Sequence, residues 1–455
     1  MAERFTAREA IALVTDDFTD HAPDGAADAG PDGSGAAAAD GPLGWAGYDA
    51  SRARAASRTG EEESVVYGTA RVGGRACVLL AFEFGFLGGS LGGAAGDRLV
   101  AAYRTARERR LPLVSLVATG GSRMQEGMVA LTQLQRVAAE TVLLREAGVA
   151  HVAVLRDPST GGGWATVGAG ADVVLALPDA QVAFAGSRVR PPGADPAAYT
   201  AEEQWRHGHV DALVPSAALR ETLARWLRLL APDARTPETG AAPPPAALTE
   251  ADAPRTGWEA VTRARDPRRP RAAAYLDAYF EERAALRGDR AGGVDPGTEC
   301  GFGLHEGRVV AYAAQGGTPT RPAGFRTAAR LVRLAGRLGI PVLTLIDTPG
   351  AANDAEAERA GAGPAIAEAF AAIAGARTPV TSLLIGEGGS GGALALAAPG
   401  NTWTTPDGYF SVIAPELAAA ILKRAPEEAP ATAGQLRLRP QDLVELGCVR
   451  GIVTR

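Results

Sequence analysis

The chain has 455 residues, with 52 Asp and Glu against 46 Lys and Arg, and a formal net charge of −6. This length is sufficient for two or three domains, and the mildly acidic chain lacks the basic run typical of a nucleic-acid binder. The three cysteines, Cys77, Cys300 and Cys448, are too few and too scattered for a disulfide framework or a CxxC metal site.

The N-terminal residues predict neither an export signal nor a packed domain. Residues 1–9 (MAERFTARE) carry charged side chains where a secretory signal needs an apolar core. Residues 21–41 are mostly Ala, Gly, Asp and Pro, too small and polar to build a core, which predicts a mobile insertion within an N-terminal segment, 1–48. The uncharged stretch 388–406 is broken by glycines and prolines, so we expect no membrane span and a soluble, cytoplasmic protein.

Two halves of the chain repeat one another. Residues 111–121 (LPLVSLVATGG) align with residues 340–350 (IPVLTLIDTPG) at an offset of 229. A stretch with helical apolar spacing precedes each segment, and a second apolar run in each half leads into a cluster of glycines. Matches in the same order at nearly constant spacing predict an internal duplication.

Each half is predicted as an alternation of helices, buried strands and glycine turns. Such alternation indicates an α/β fold with mainly right-handed crossovers, here in two duplicated domains related by a pseudo-twofold. The predicted domains are 49–230 and 271–455, joined by a proline-rich linker at 231–270. The predicted buried strands are the continuous apolar runs Val114–Ala118, Val152–Leu155, Val342–Ile346 and Thr381–Ile385.

Glycine pairs stand at the ends of predicted strands in both halves, at Gly120–Gly121 and at Gly388–Gly389. A residue without a Cβ lets backbone N–H groups face a ligand, and the start of a following helix adds positive partial charge. Paired N–H donors of this kind stabilise an enolate or another oxyanion. The alternative is that these glycines only close tight turns between a strand and a helix.

Other kinds of site find less support. Lys423 is the only lysine, so the chain has no GxxxxGK[ST] phosphate loop. Residues 388–392 match the GxSxG string of a nucleophile elbow, but no histidine follows Ser390 to complete a triad. His207 and His209 lack neighbouring cysteine or carboxylate ligands, which favours a surface turn over a metal site.

Motifs in both halves resemble one enzyme family. Those of the first half resemble the beta-type subunit of bacterial acetyl-CoA carboxylase carboxyltransferase, and those of the second half resemble its alpha-type subunit. The matching segments are 82–93 (FEFGFLGGSLGG), 118–126 (ATGGSRMQE), 157–162 (DPSTGG), 184–189 (FAGSRV), 346–351 (IDTPGA), 385–395 (IGEGGSGGALA) and 409–416 (YFSVIAPE).

The resemblance implies a fused beta/alpha carboxyltransferase of the crotonase superfamily, with that family's spiral ββα fold. It implies transfer of a carboxyl group from carboxybiotin to the α-carbon of an acyl-CoA, most naturally acetyl-CoA. It implies as partners a biotin carboxylase and a separate biotin carboxyl carrier protein. By the same resemblance, Gly120 and Gly121 stabilise the thioester enolate, and Gly388 and Gly389 stabilise the ureido oxygen of biotin.

The resemblance further implies a homo-oligomer with sites between chains. Arg123 is assigned an orienting role more than a phosphate contact, with a buried ion pair as an equal alternative. The substrate-binding residues by this resemblance are Gly88, Gly89, Ser90, Arg123, Gly161, Gly162, Gly391 and Gly392.

The chain also departs from the family pattern. The beta type usually begins with a four-cysteine zinc ribbon, which three scattered cysteines cannot form, so we expect no bound metal. Ala352–Asp354 replace an aromatic, Pro and Gly that are common in the alpha type. Two alternatives therefore stay open: a decarboxylase of malonyl thioesters on the same scaffold, and a non-catalytic subunit that positions a biotin carrier.

Overall fold

The structure is a computed structural model and describes residues 2–21, 39–231 and 240–455. These residues form two compact units, which divide between residues 232 and 233. Most of the predicted insertion, and residues 232–239 of the predicted linker, lie outside the described residues. Within the described ranges, no helix is long and apolar enough to cross a membrane.

The first unit contains eight strands and seven α-helices in the ranges that the structure describes. Its strands are β1 Asp17–Asp20, β2 Val65–Val72, β3 Arg75–Phe82, β4 Leu113–Thr119, β5 His151–Thr160, β6 Val173–Ala176, β7 Val182–Ala183 and β8 Ala212–Leu213. Its helices are α1 Ala7–Val14, α2 Tyr48–Thr59, α3 Gly93–Arg109, α4 Gly127–Glu146, α5 Gly161–Gly163, α6 Ala201–Arg206 and α7 Ser216–Leu230.

The second unit, over residues 240–455, contains seven strands and nine α-helices. Its strands are β9 Glu282–Leu286, β10 Thr298–His305, β11 Arg308–Gln315, β12 Val342–Thr348, β13 Val380–Gly389, β14 Thr402–Thr404 and β15 Tyr409–Ser411. Its helices are α8 Gly257–Arg265, α9 Ala272–Tyr279, α10 Pro322–Leu338, α11 Ala355–Arg359, α12 Ala362–Ala374, α13 Ser390–Leu394, α14 Pro415–Ile421, α15 Ala429–Gln435 and α16 Pro440–Glu445.

The two units share one topology. The first sheet has the order β1-β2-β3-β4-β5-β6-β8 with β7 on β5, and the second has β14-β13-β12-β11-β10-β9 with β15 on β13. In each unit an antiparallel hairpin, β2–β3 or β10–β11, leads through a helix to parallel strands. Even an irregularity repeats, because the ladder shifts register between Val117 and Thr119 and between Ile346 and Thr348. This confirms the α/β fold and the duplication.

The four predicted strands are confirmed as β4, β5, β12 and β13. Their apolar residues are covered on both faces, and every residue of β4 and β12 is buried. The two hairpins were missed by the sequence analysis. Their signal is a two-residue loop with positive φ at both positions, Gly73–Gly74 in the first unit and Glu306–Gly307 in the second.

Two segments predicted to lie outside the domains are packed into them. At the N-terminus, α1 buries Ile11 and Val14, and β1 pairs with β2 along the sheet edge. Of the predicted linker, residues 240–270 belong to the second unit, where α8 buries Val261. The prolines of this segment suggested a linker. The apolar residues between them are spaced to form one face of a helix, and the burial of that face makes the segment fold as part of the second unit.

Candidate active site

The glycine turns of each unit follow parallel strands at the same edge of its sheet. In the first unit they follow β3, β4 and β5, and in the second unit they follow β12 and include the end of β13. We call residues 88–90, 120–121 and 161–162 the first glycine site, and residues 349–351 and 388–392 the second glycine site. The predicted pairs are not equivalent positions, because Gly120–Gly121 follow β4 whereas Gly388–Gly389 are the last residues of β13.

The first glycine site is held together by close backbone contacts at Gly89 and Gly161, which leave no room for a side chain at either residue. A Cβ at Gly161 would stand 2.8 Å from the Cα of Gly121, and a Cβ at Gly89 would stand 2.2 Å from the carbonyl oxygen of Ala118. Gly121 and Gly161 also have positive φ, of 110° and 67°, which favours glycine. The structure therefore brings these predicted residues together.

The hydrogen bonds of the first glycine site differ from the predicted pair of free donors. The N–H of Gly120 donates to the carbonyl of Gly88 at 2.8 Å, and the N–H of Gly121 donates to Thr119 Oγ1 at 3.0 Å. The first N–H groups of a helix have no partner within it, and here Gly162 stands in the first turn of α5. Its nitrogen lies 3.9 Å from the place of a Cβ on Gly121. The helix start therefore supplies a donor beside the predicted pair.

The second glycine site is packed as closely. A Cβ at Gly389 would stand 1.9 Å from the carbonyl oxygen of Pro349, and a Cβ at Gly392 would stand 2.3 Å from the nitrogen of Ala351. Gly388 and Gly389 belong to the ladder between β13 and β15, so the helix-start donors begin at Ser390. Among the glycines of β13 and α13, Gly391 is the only one at which an added Cβ would meet no atom within 4 Å.

Arg123 is the buried centre of an ion cluster. Its side chain is 1 % exposed, and its guanidinium pairs with Glu63 and with Glu126. Nη2 donates to the carbonyl of Ser90 at 2.7 Å, and Nε donates to Ser90 Oγ at 3.2 Å. Of the two alternatives for Arg123, the structure has the buried ion pair, and this pair anchors the 88–90 segment of the first glycine site.

Burial and charge act in opposite directions on the acids around Arg123. Burial alone raises the pKa of Glu63, but the hydrogen bond and the positive charge of Arg123 outweigh it and hold that pKa below its ordinary value. Burial and a hydrogen bond to Glu126 raise the pKa of Tyr48 to about 12. The phenol therefore stays neutral and donates to the carboxylate.

The second unit holds a buried ion cluster that the sequence analysis missed. Asp347, the Asp of the IDTPGA segment, is fully buried and accepts from Arg269 at 2.5 Å and from Arg271 at 3.0 Å. It also accepts the N–H of Glu387 at 3.1 Å, immediately before Gly388. An acid inside an otherwise apolar strand is the signal that could have identified it, because a buried charge requires a partner.

Glu387 belongs to a second network beside the same site. Its Oε1 accepts from Tyr409 Oη at 2.6 Å and from Arg265 Nη2 at 3.0 Å. Arg265 also pairs with Glu416 at 2.6 Å. Burial and the bond to Glu387 raise the pKa of Tyr409. The end of β13 is therefore held by ionic contacts on two sides.

Other predicted features are placed away from these turns. His207 lies in an exposed turn after α6, 3.0 Å from Glu203, which confirms the surface-turn interpretation. His305 stacks on Tyr279 and bonds its carbonyl, so it is not a partner for Ser390. In the part of the chain that the structure describes, no cluster of three or more His, Cys, Asp or Glu could hold a metal ion.

Family models match both units. Residues 249–455 match the model described as acetyl co-enzyme A carboxylase carboxyltransferase-like, and residues 44–205 match the carboxyl transferase domain model. The two matches correspond to the alpha-type and beta-type halves expected from the sequence motifs.

Similar proteins cover most of the chain. The chain is 39 % identical over 428 residues to the acetyl-coenzyme A carboxylase carboxyl transferase subunits beta/alpha of Saccharopolyspora erythraea, covering 89 % of this chain and 74 % of that one. It is 36 % identical to a probable biotin-dependent acyl-coenzyme A carboxylase beta3 subunit of Mycobacterium bovis, covering 89 % and 83 %. The fold is similar to that of transcarboxylase 12S, with a TM-score of 0.77 over 99 % of this chain and 86 % of that one, at 19 % identity.

Proposed function

This chain belongs to the acetyl-CoA carboxylase carboxyltransferase family, and from that premise we propose that it moves the carboxyl group of carboxybiotin to the α-carbon of acetyl-CoA or another short acyl-CoA. The observation that carries the proposal is the match of both units to the fused beta/alpha relatives. The proposed partners are a separate biotin carrier and a biotin carboxylase. A cytoplasmic location stays a prediction.

The first glycine site is proposed to bind the acyl thioester. Removal of the α-proton places negative charge on the thioester oxygen, and backbone N–H donors aimed at that oxygen stabilise it by about 3–4 kcal/mol each. The start of α5 at Gly162 supplies such a donor beside Gly121. Arg123 contributes indirectly, because it holds the carbonyl and hydroxyl of Ser90 in place.

The second glycine site is proposed to hold the ureido group of biotin. Carboxybiotin, when bound, supplies the carboxyl group. The residues fit a polar ligand, since the position of a Cβ on Gly391 is open and the first N–H groups of α13 lie beside it. Gly389 lets the end of β13 approach Pro349, which fixes where these donors stand.

Carboxylation assays test the proposal. The protein is supplied with biotin carboxylase and a biotinylated carrier, and transfer to acetyl-, propionyl- and butyryl-CoA is measured. We expect biotin-dependent carboxylation of at least one of these thioesters. Release of CO2 from malonyl-CoA without biotin, or tight binding of the carrier without turnover on any thioester, would contradict the proposal and support one of the two alternatives.

Gly391→Ala is expected to lower kcat/KM for carboxyl transfer by about tenfold or more, because its methyl enters the open space beside the α13 donors. The variant should fold with the same stability or slightly more, since alanine in a helix is more stabilising than glycine by about 0.5–1 kcal/mol. The matched control is Gly363→Ala in α12, where a Cβ also meets nothing within 4 Å. Equal activity of the two variants would contradict the placement of the ligand.

Exposed apolar side chains support self-association, which we propose as the assembly state. On and just before α4, Met124 and Met128 are 75 % and 67 % exposed, and Leu131 continues the same helix face. The second unit exposes its own apolar set on and beside α14: Val412, Leu417, Ile421 and Leu422. A contiguous apolar surface is typical of a protein interface.

Met128→Glu is expected to weaken self-association by at least about tenfold, because an interface would bury the new carboxylate without a partner. Sedimentation equilibrium gives the dissociation constant. Ala217→Glu adds the same charge at an exposed position of α7 and serves as the control. If both variants associate like the unsubstituted chain, the α4 face is not the interface.

A further inference from the structure

Gln315 is a fully buried polar residue at the end of β11. Its Nε2 donates to the carbonyl of Gly392 at 3.1 Å and to Thr320 Oγ1 at 3.0 Å. These acceptors lie on different segments, since Gly392 is in α13 and Thr320 is in the loop before α10. One side-chain amide therefore joins the loop before α10 to the α13 part of the second glycine site.

The network continues into the other half of that site. Thr320 Oγ1 donates to Thr348 Oγ1 at 3.3 Å, and Thr348 Oγ1 accepts the N–H of Gly350 at 3.1 Å. Thr320 and Thr348 are both buried. Residues 349–351 and 388–392 are thus joined through a chain of three buried side chains as well as by direct packing.

The orientation of the Gln315 amide follows from its partners. The carbonyl of Gly392 accepts only, so the atom that faces it must be the NH2 group. Oε1 is then buried, and among the described residues it has no hydrogen-bond partner. Burying an acceptor without a partner is unfavourable, so stability alone does not account for a glutamine here.

The first unit provides an internal comparison. Val78 pairs with Leu113 and Ala311 pairs with Val342 in the parallel ladders, so Phe82 at the end of β3 stands where Gln315 stands at the end of β11. Leu91 stands where Thr320 stands, at the offset of 229. The isolated bridges Leu91–Ser122 and Thr320–Ala351 confirm that Leu91 and Thr320 are equivalent. The shared scaffold therefore folds with apolar residues at both places, and the polar network is particular to the second glycine site.

We propose that Gln315 is a positioning residue for carboxyl transfer, which holds the start of α13 and the 349–351 turn in the arrangement that receives the ureido group. This inference rests on the proposed function and deepens it. Gln315 acts through Gly392 and Thr320, and its side chain touches no substrate. Its removal should affect turnover more than the binding of acyl-CoA, which is assigned to the other unit.

The test compares Gln315→Met with Gln441→Met. Gln441 is a matched control, because its Nε2 also donates to a backbone carbonyl, that of Pro254, and its Oε1 also has no partner among the described residues. Gln315→Met is expected to lower kcat at least about tenfold, with KM for acetyl-CoA within about twofold. Gln441→Met should stay within about twofold in both parameters. Equal losses in the two variants, or an unchanged kcat in Gln315→Met, would overturn the proposal.

Amide hydrogen exchange supplies a readout that needs no activity. In Gln315→Met the amides of residues 389–392 should exchange at least about tenfold faster, with those of the first glycine site unchanged. If the protein with native sequence carries out no transfer, the proposed function fails, and the exchange data still decide whether Gln315 holds the turn. Should Gln315→Met not fold, Thr320→Val removes the acceptor at the next link, and unchanged exchange there would overturn the network.

Discussion

Replacing Arg123 with methionine is expected to lower the free energy of unfolding by about 3–5 kcal/mol, because it leaves buried carboxylates without their cation. Glu63 and Glu126 both lie against the guanidinium, and their side chains are only 2 % and 9 % exposed. Urea denaturation measures the loss. Activity should fall with it, since Arg123 holds the 88–90 part of the first glycine site.

The pH dependence of this loss distinguishes the lost ion pair from lost packing. With Arg123 present, the pKa of Glu63 is lowered, so its contribution to stability is present above the unfolded pKa of about 4.3 and is lost as the pH falls. Without Arg123, burial alone would raise the pKa of Glu63. The deficit of Arg123→Met should therefore grow as the pH rises from about 4.3 toward 8.

Two further variants control this prediction. Arg136→Met removes an exposed arginine that pairs with Asp97 at 2.7 Å, and such surface pairs contribute only about 0.2–1 kcal/mol. Adding Glu63→Gln to Arg123→Met should recover part of the stability, because a buried amide costs less than a buried carboxylate. A deficit equal to that of Arg136→Met, or one independent of pH, is incompatible with a buried ion cluster.

Gly389→Ala is expected to destabilise the second unit by more than about 3 kcal/mol, above the usual range for added methyl groups. The new Cβ would stand 1.9 Å from the carbonyl oxygen of Pro349 and 2.2 Å from its carbon. These are backbone atoms of a neighbouring turn, which cannot rotate away as a side chain would. Thermal unfolding and the yield of folded protein measure the effect.

Gly391→Ala is the control for this clash, two residues along the same segment. Neither glycine has a positive φ, so backbone strain does not separate them, and only Gly389 lacks space. The thermal unfolding midpoint of Gly391→Ala should equal that of the unsubstituted protein or lie slightly above it. If the two variants lose the same stability, the close approach of β13 to Pro349 is not what requires a glycine.

Much of the fold could be predicted because it depends on local pattern. Continuous apolar runs such as Val342–Ile346 indicate strands covered on both faces, and the repeated spacing of these runs indicates the duplication. The hairpins were harder to identify, since β2 and β10 mix glycine and polar residues with apolar ones, and loops such as Gly73–Gly74 are the clearest mark of a hairpin. The helix α8 was not predicted, because the prolines around it are typical of a linker, and only its tertiary packing shows that the segment is helical.

The site could be predicted only in part, for a related reason. The sequence shows which glycines follow strands. It does not show which atom accepts from each backbone N–H, because that acceptor lies on a segment distant in the chain: the N–H of Gly120 donates to the carbonyl of Gly88. The same holds for charge. Arg123 meets Glu63, and Asp347 meets Arg269, across separations that no local spacing predicts.

The sequence by itself determined the α/β class, the duplication, the family and the glycines at the strand ends, because period, order and motif are properties of the chain. Only the tertiary structure decided which N–H groups are already bonded, which arginines are buried in ion clusters and that Gln315 joins two turns of one site. The physical reason is that hydrogen bonds and ion pairs act over about 3 Å, so their partners are fixed only when packing brings distant segments together.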